Sequence, residues 1–450
     1  MRCFLLLAFS AALSAAERPI IADYAALLQE SKPRADGLRH VDTPASIAAL
    51  KALHANMHFY LMRNQMDWDD MSKEFLPAAA EAGIDVFPYL VPPTECPDPC
   101  KLPFGADYPQ IAIEIAKLSL RYPNLKGLAI DDFVYNVKLY TPEYVAHLRN
   151  AAREINPKFK FYPLLYWRSM QPAFLDKYAA SIDGVIFAYR DEPTINTTRN
   201  GSLRAQLDAT EAMMRERSKD LVLMIYAAPL GHIPLPPGAD YVRDCLAMGL
   251  ADARGGKLAG VVTYSLSKTR QPSPPAGNYA RNGVGRLSIL ASGSGIPAGS
   301  YGELSSRISV TAGAPVLKFW KTGVCRNLPA GNYFMQVLID DAVAWEQDVS
   351  TLEQKVWKQE RVELPAALFA GKSTATLRLR LALKRNYGNV VLIGMDDLEV
   401  EGFTIADPGF EDQAAWTATQ TAPAFLPLVQ LFEANRLPRM FDAVSEVYRQ

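Results

Sequence analysis

The sequence predicts an α/β protein, a (β/α)8 barrel followed by an antiparallel β-sandwich. Three observations carry this prediction. From about residue 37 to 290, short β-branched or aromatic runs alternate with amphipathic helical patterns, and eight such units over about 250 residues suit a closed barrel. No GxGxxG follows the first strand and no P-loop occurs, so the nucleotide-binding open sheets, which read similarly strand by strand, lose their main support. From residue 305 to about 404 the pattern shortens to alternating runs separated by turn residues, as a sandwich requires.

The elements follow in order. Residues 1–16 read as a signal peptide: Arg2 supplies the positive start, Cys3 to Leu13 are mostly apolar, and Ser14-Ala15-Ala16 place small residues before Glu17. That stretch is shorter than the roughly 20 residues that span a bilayer, and no later segment reaches that length. A secreted or periplasmic protein with no transmembrane segment is expected. The barrel is assigned to 17–295, with strands at Gly37–Asp42, Met57–Leu61, Asp85–Leu90, Gly127–Asp131, Lys160–Leu165, Gly184–Tyr189, Leu221–Tyr226 and Gly260–Tyr264. Helical patterns lie between them, among them Pro44–His54, Lys73–Ala82, Tyr108–Leu120, Pro142–Ile155, Leu203–Arg217 and Ala239–Leu250. Thr43-Pro44 and Thr141-Pro142 read as helix caps with first-turn prolines. Gly/Pro/Ser-rich passages at Gln271–Gly277 and Ser292–Ser300 separate the barrel from the sandwich at 305–404. Residues 405–450 form an extension whose Pro427–Gln450 stretch is a helix docking back on one of the domains.

Composition excludes several classes. Lys and Arg number 47 against 48 Asp and Glu, and no basic run occurs, so a nucleic-acid partner is not expected. Of the five cysteines, Cys3 belongs to the signal, Cys96 and Cys100 are a candidate disulfide, and Cys245 and Cys325 are expected to be single and buried. The five histidines are scattered without HExxH or a paired Cys/His set, so neither a metal nor another cofactor is expected. A Gly-x-Ser-x-Gly elbow is also absent.

In a barrel the working residues sit at the C-terminal ends of the strands. Strand 2 runs into Arg63 and then Trp68, strand 3 ends in Tyr89-Leu-Val-Pro-Pro-Thr-Glu95, and strand 4 ends in Asp131-Asp132-Phe133, followed by Tyr135 and Asn136. Strand 5 ends in Tyr166-Trp167-Arg168, strand 6 in Tyr189-Arg190-Asp191-Glu192, strand 7 in Tyr226 and strand 8 in Tyr264. This rim is aromatic and acidic. Flat rings stack on sugar rings while carboxylates and Arg bind hydroxyls, and a pair of carboxyls is what glycosidic cleavage needs. On strand 4, Leu128 and Ile130 share a face with Asp132, and the aliphatics are expected to face the helices, which makes Asp131 the better inward candidate. On strand 6, Tyr189 and Asp191 share one face and Arg190 and Glu192 the other, which leaves both acids open.

The run Gly127-Leu-Ala-Ile-Asp131-Asp132-Phe133, ending the fourth strand of a barrel that a sandwich follows, resembles the TIM-barrel glycoside hydrolase superfamily. Its α-galactosidase-like members carry an Asp nucleophile on strand 4 and an Asp acid/base on strand 6. By that resemblance Asp131 or Asp132 is the nucleophile or charge stabiliser and Asp191 the acid/base, with Glu192 kept as the alternative by the strand-end reading. The glutamate that ends the chitinase strand-4 motif is absent, as is the Asn-Glu of the two-glutamate clan. The sandwich resembles jelly-roll carbohydrate-binding modules, through Met395-Asp-Asp-Leu398 and Asp407-Pro-Gly-Phe-Glu411.

The expected protein is therefore a secreted glycoside hydrolase-like enzyme acting on a poly- or oligosaccharide. Its catalytic candidates are Asp131, Asp132, Asp191 and Glu192. Its sugar-binding candidates are Arg63, Trp68, Tyr89, Tyr166, Trp167, Arg168, Tyr189, Tyr226 and Tyr264. The alternative is a non-catalytic glycan-binding protein on the same scaffold, which keeps the aromatics and needs no second carboxyl. A third reading, the sandwich as an interaction module, requires a broad exposed apolar patch.

Overall fold

The computed structural model describes residues 18–96, 99–230, 235–270, 272, 280–325, 327–432 and 436–450. The signal segment, His232 and most of the 271–277 passage lie outside the described residues. Eight parallel strands close a barrel in chain order: β1 (Ile20–Tyr24), β2 (Met57–Met62), β3 (Asp85–Leu90), β4 (Gly127–Ile130), β5 (Lys160–Tyr166), β6 (Gly184–Ala188), β7 (Asp220–Tyr226) and β8 (Gly260–Tyr264). Around them run α1 (Thr43–Ala52), α2 (Gln65–Asp70), which continues through a π turn at Met71–Phe75 into α3 (Leu76–Glu81), then α4 (Tyr108–Arg121), α5 (Pro142–Ile155), α6 (Pro172–Tyr178), α7 (Leu203–Glu216) and α8 (Ala239–Arg254). Caps fix several starts: Thr141 Oγ1 accepts from Tyr144 N at 3.2 Å, with Pro142 in the first turn. At α1 the cap is Asp42, one residue before the expected Thr43, accepting from Ala45 N at 3.0 Å.

The first strand differs from expectation. Gly37–Asp42 lies in the loop between β1 and α1, where Val41 makes one isolated bridge to Gln29. The strand is Ile20–Tyr24, paired in parallel with β2 through Ala22 and Met57 and with β8 through Ile20 and Gly260. The physical reason is burial: Ile21 to Tyr24 are enclosed on both faces, whereas most of 37–42 is exposed or half-buried. Gly260 allows this closure, since a Cβ there would lie 2.1 Å from the Ile20 carbonyl oxygen.

Strand alternation makes two cores. Ala22, Phe59, Phe87, Ala129, Ile186 and Val262 are among those filling the lumen. Leu128, Ile130, Val185, Phe187 and Tyr189 pack instead between barrel and helices. This parity decides the direction of each residue that follows a strand.

The sandwich has two antiparallel sheets. One contains β13 (Ala342–Asp348), β12 (Tyr333–Ile339), β15 (Thr374–Leu383), β10 (Tyr301–Val310) and β17 (Phe403–Ile405) in that order, with β18 (Thr417–Gln420) also on β10. The other is ordered β14 (Lys358–Glu363), β11 (Val316–Cys325), β16 (Val391–Glu401), β9 (Gly285–Ala291) and β19 (Phe425–Leu431). On β15 every second residue from Ala375 to Leu383 is buried, the period of two that marks a half-buried strand. The sandwich therefore takes in 285–291, placed in the barrel by the sequence boundaries, and 417–431, placed in the extension. Leu290, Leu392 and Leu426 on its outer face pack against Leu235, just before α8.

The last helix, α9 (Arg436–Arg449), returns to the barrel. It packs on α8, Ser445 donates to the carbonyl of Ala52 at 2.9 Å, and the Tyr448 hydroxyl donates to the carbonyl of Ala22 at 2.6 Å. It thus fills the place beside α8 and α1 where a barrel's eighth helix belongs. Among the described residues no helix is long and apolar enough to cross a membrane.

Candidate active site

The strand parity delivers a ring of lumen-facing side chains to the C-terminal mouth of the barrel. Tyr24 comes from β1, Asp131 from just after β4, Tyr166 from β5, Arg190 from just after β6, Tyr226 from β7 and Tyr264 from β8. They enclose a pocket of about 570 Å3, with Arg63, Glu95, Asp132 and Tyr135 at its wall. Tyr24 lies 4.5 Å from Tyr89 and 5.1 Å from Tyr264, and Tyr264 lies 4.6 Å from Tyr226, ring centre to ring centre. The result is a continuous arc of tyrosines. Burial pushes their phenols up, that of Tyr264 to about 12, so they enter the pocket as neutral hydroxyls.

Three carboxyls share one side of this mouth. Asp131 accepts from the Tyr89 hydroxyl at 3.0 Å and from the Asp132 amide at 2.9 Å, both on Oδ1. Oδ2 has no hydrogen-bond partner among the described residues. Asp132 sits in the left-handed region (φ 40°, ψ 40°), an uncommon conformation for a residue with a Cβ, and accepts from the Tyr166 hydroxyl at 2.5 Å. Glu95 ends a 3-10 turn over Pro93–Glu95, and the neighbouring Cys96 is joined to Cys100 by a disulfide. Burial pushes the Asp131 carboxyl up to about 7, helped by the negative charges of Asp132 and Glu95, while Tyr89 and the Asp132 amide pull it back. Glu95 is also raised, first by burial, then by the Asp132 charge and a hydrogen bond to it. Facing them, the Arg190 guanidinium stacks 3.7 Å from the centre of the Tyr166 ring.

The mouth thus gathers six of the sequence candidates, Arg63, Asp131, Asp132, Tyr166, Tyr226 and Tyr264, with Tyr89 beneath Asp131. It does not gather the rest. Asp191 follows β6 on the helix-facing parity and is buried, accepting from the Tyr189 hydroxyl at 2.8 Å, from Ser202 N at 2.8 Å and from Ser202 Oγ at 2.7 Å. Tyr189 lies with it in the outer core. The expected pairing of a strand-4 acid with Asp191 is therefore not one that the geometry brings together. Glu192 is held by Arg168 through contacts of 3.0 and 2.8 Å and is not among the residues lining the mouth. Trp68 packs edge-on against Phe104 at 5.1 Å, and Trp167 against the outer core.

No family model matches the chain. No curated protein matches it either. Among solved structures it is similar to a glucosidase from Croceicoccus marinus, with 10% identity over 84% of this chain and 96% of that one, at a TM-score of 0.41. It is also similar to an α-L-arabinofuranosidase from Thermotoga maritima, with 10% identity over 84% and 96% of the two chains, at a TM-score of 0.37. A β-glucuronidase from Bacteroides uniformis shares 8% identity over 84% of this chain and 65% of that one, at a TM-score of 0.41. Function is therefore read from the residues of the mouth.

Four polar residues of the mouth were not among the sequence candidates: Tyr24, Glu95, Tyr135 and Arg190. Tyr24 went with the misplaced first strand. Arg190 was available from parity, because Ile186 and Ala188 face the lumen and the next residue in step is 190. Glu95 arrives on a loop, for which no periodic signal exists. On the sandwich, the exposed large hydrophobics among the described residues are Val343 and Val356, not a contiguous patch.

Proposed function

We propose that the barrel mouth hydrolyses O-glycosidic bonds of a poly- or oligosaccharide. One observation carries the reading: Asp131, a half-buried carboxyl pushed up to about 7, stands beside a second carboxyl in a pocket walled by tyrosines and two arginines. A general acid works best with a pKa near the operating pH, and burial among like charges is how a carboxyl reaches it. Asp131 protonates the leaving oxygen through Oδ2. Asp132, fixed by the Tyr166 hydroxyl, supports the charge that develops at the anomeric carbon or takes a proton from water. Glu95 stands close enough to Asp132 for its own carboxyl to be raised by it. Arg190 and the tyrosines bind hydroxyls and sugar faces. Asp191 takes no part; it caps the loop before α7.

The test is sugar release from a broad oligosaccharide and polysaccharide panel. Asp131→Asn and Asp132→Asn are expected to lose about 10²–10⁴-fold in kcat/KM, while Asp191→Asn, where it folds, stays within a few-fold. Binding to panel sugars without release by the unaltered chain would replace the hydrolase with the glycan-binding protein.

A further inference from the structure

A second pocket, of about 390 Å3, lies beside the mouth and shares Leu61 and Arg63 with it. It is formed by the loop after β1, the helix-facing side of β2 and the start of α2, with Gln29, His58, Tyr60 and Asp67 in its wall. His58 and Tyr60 are buried, yet His58 Nε2 and the Tyr60 hydroxyl have no hydrogen-bond partner among the described residues. Buried side-chain polar atoms are seldom left unpaired, so two converging on one pocket point to a ligand.

Their chemistry narrows that ligand. His58 Nδ1 lies 3.5 Å from Asp23 Oδ2 without a hydrogen bond to it, and Asp23 is itself held by Lys268 and by Thr263 Oγ1 at 2.9 Å. Burial holds the imidazole neutral against the pull of Asp23. A neutral imidazole carries one donor and one acceptor nitrogen. A sugar hydroxyl, which both donates and accepts, pairs with Nε2 in either tautomer. Tyr60 both donates and accepts, and Arg63 and Asp67 extend the polar edge towards the mouth, while Leu61 gives the apolar face on which a ring lies.

We propose that this pocket is an accessory carbohydrate subsite, holding the sugar unit next to the one in the mouth, with hydroxyls paired to His58 Nε2 and the Tyr60 hydroxyl. The proposal deepens the hydrolase reading and rests on it for the class of ligand, but its test is binding. The full chain carrying Asp131→Asn, labelled with 15N-histidine, is titrated with glucose, galactose and N-acetylglucosamine, then with cellobiose, maltose, lactose and N,N′-diacetylchitobiose. The His58 ring signal is assigned by its loss in His58→Gln. At least one disaccharide is expected to shift the Nε2 resonance, and Tyr60→Phe to weaken that disaccharide at least 5-fold while leaving the monosaccharides unchanged. His58→Gln supplies the same comparison by calorimetry should Tyr60→Phe not fold. Disaccharide binding with a silent His58, an unaltered affinity in both variants, or no binding by any sugar of the panel overturns the subsite; in that last case the two polar atoms are met by water alone. A shift at His58 without cleavage by the unaltered chain leaves the subsite and removes the hydrolase. Cleavage with a silent His58 does the reverse.

Discussion

Asp131 is placed by two opposing effects, enclosure that favours its neutral form and two hydrogen bonds that favour its anion. As a general acid it must be protonated, so kcat/KM is expected to fall tenfold per pH unit above about 7. Tyr89→Phe removes a bond that stabilises the anion and moves this limb to higher pH, which a pH–rate profile reads directly; a limb that stays put excludes Asp131 as the acid. The same residue costs stability. Its folded pKa lies above its unfolded value of about 3.9, so its contribution to folding is fully present below about pH 4 and lost as pH rises through 7. A gap of about three units corresponds to roughly 4 kcal/mol. Asp131→Asn is therefore expected to raise Tm by at least about 4 °C at pH 8 and to change it little at pH 4, checked by calorimetry at both. At this scale parity made Asp131 legible: the aliphatics at 128 and 130 told which way it faced. The same rule applied to β6 points Arg190 inward and Asp191 outward, but the strand carries no comparable pair of markers, since Ile186 and Phe187, on opposite faces, are both large.

At the scale of elements, the loop after β3 brings the third carboxyl. Glu95 adjoins the Cys96–Cys100 disulfide, which closes a loop of sequence separation 4. So small a ring restrains its own surroundings and adds little to the global fold. The paired substitution Cys96→Ser with Cys100→Ser is expected to reduce kcat/KM several-fold while shifting Tm by no more than about 2 °C; loss of both in proportion would show a general structural staple instead. The cysteine spacing was visible in the sequence, and Glu95 was visible as the acid on the loop after strand 3 without being taken as a candidate. The strand most poorly read was β1, because Asp23 interrupts its apolar run. That aspartate is satisfied at long range, by Lys268 and Thr263, some 240 residues further on. No local pattern announces such a partner.

Over the whole molecule, barrel and sandwich were legible as two periods, 3.6 and 2, and their boundary was not. The linkers read as a clean division, yet the chain leaves the barrel, builds the sandwich and comes back. The apolar face of α9, with Met440, Phe441, Val444, Val447 and Tyr448, buries itself against the barrel. Five such side chains are worth about 7–15 kcal/mol at most, comparable to the whole stability of a domain. A chain ending at residue 432 is expected to accumulate as insoluble protein; a soluble truncation that unfolds cooperatively near the full-length Tm would show that α9 is dispensable.

That return path also fixes an order of events in time. The eighth barrel strand ends at Tyr264 and its helix begins at Arg436, so more than a third of the polypeptide must emerge from the ribosome before the ring can be sealed. At about 5–20 residues per second, that leaves on the order of ten to thirty seconds during which the place beside α8 and α1 lacks its last helix. Through that interval the apolar surface that α9 later covers stays exposed.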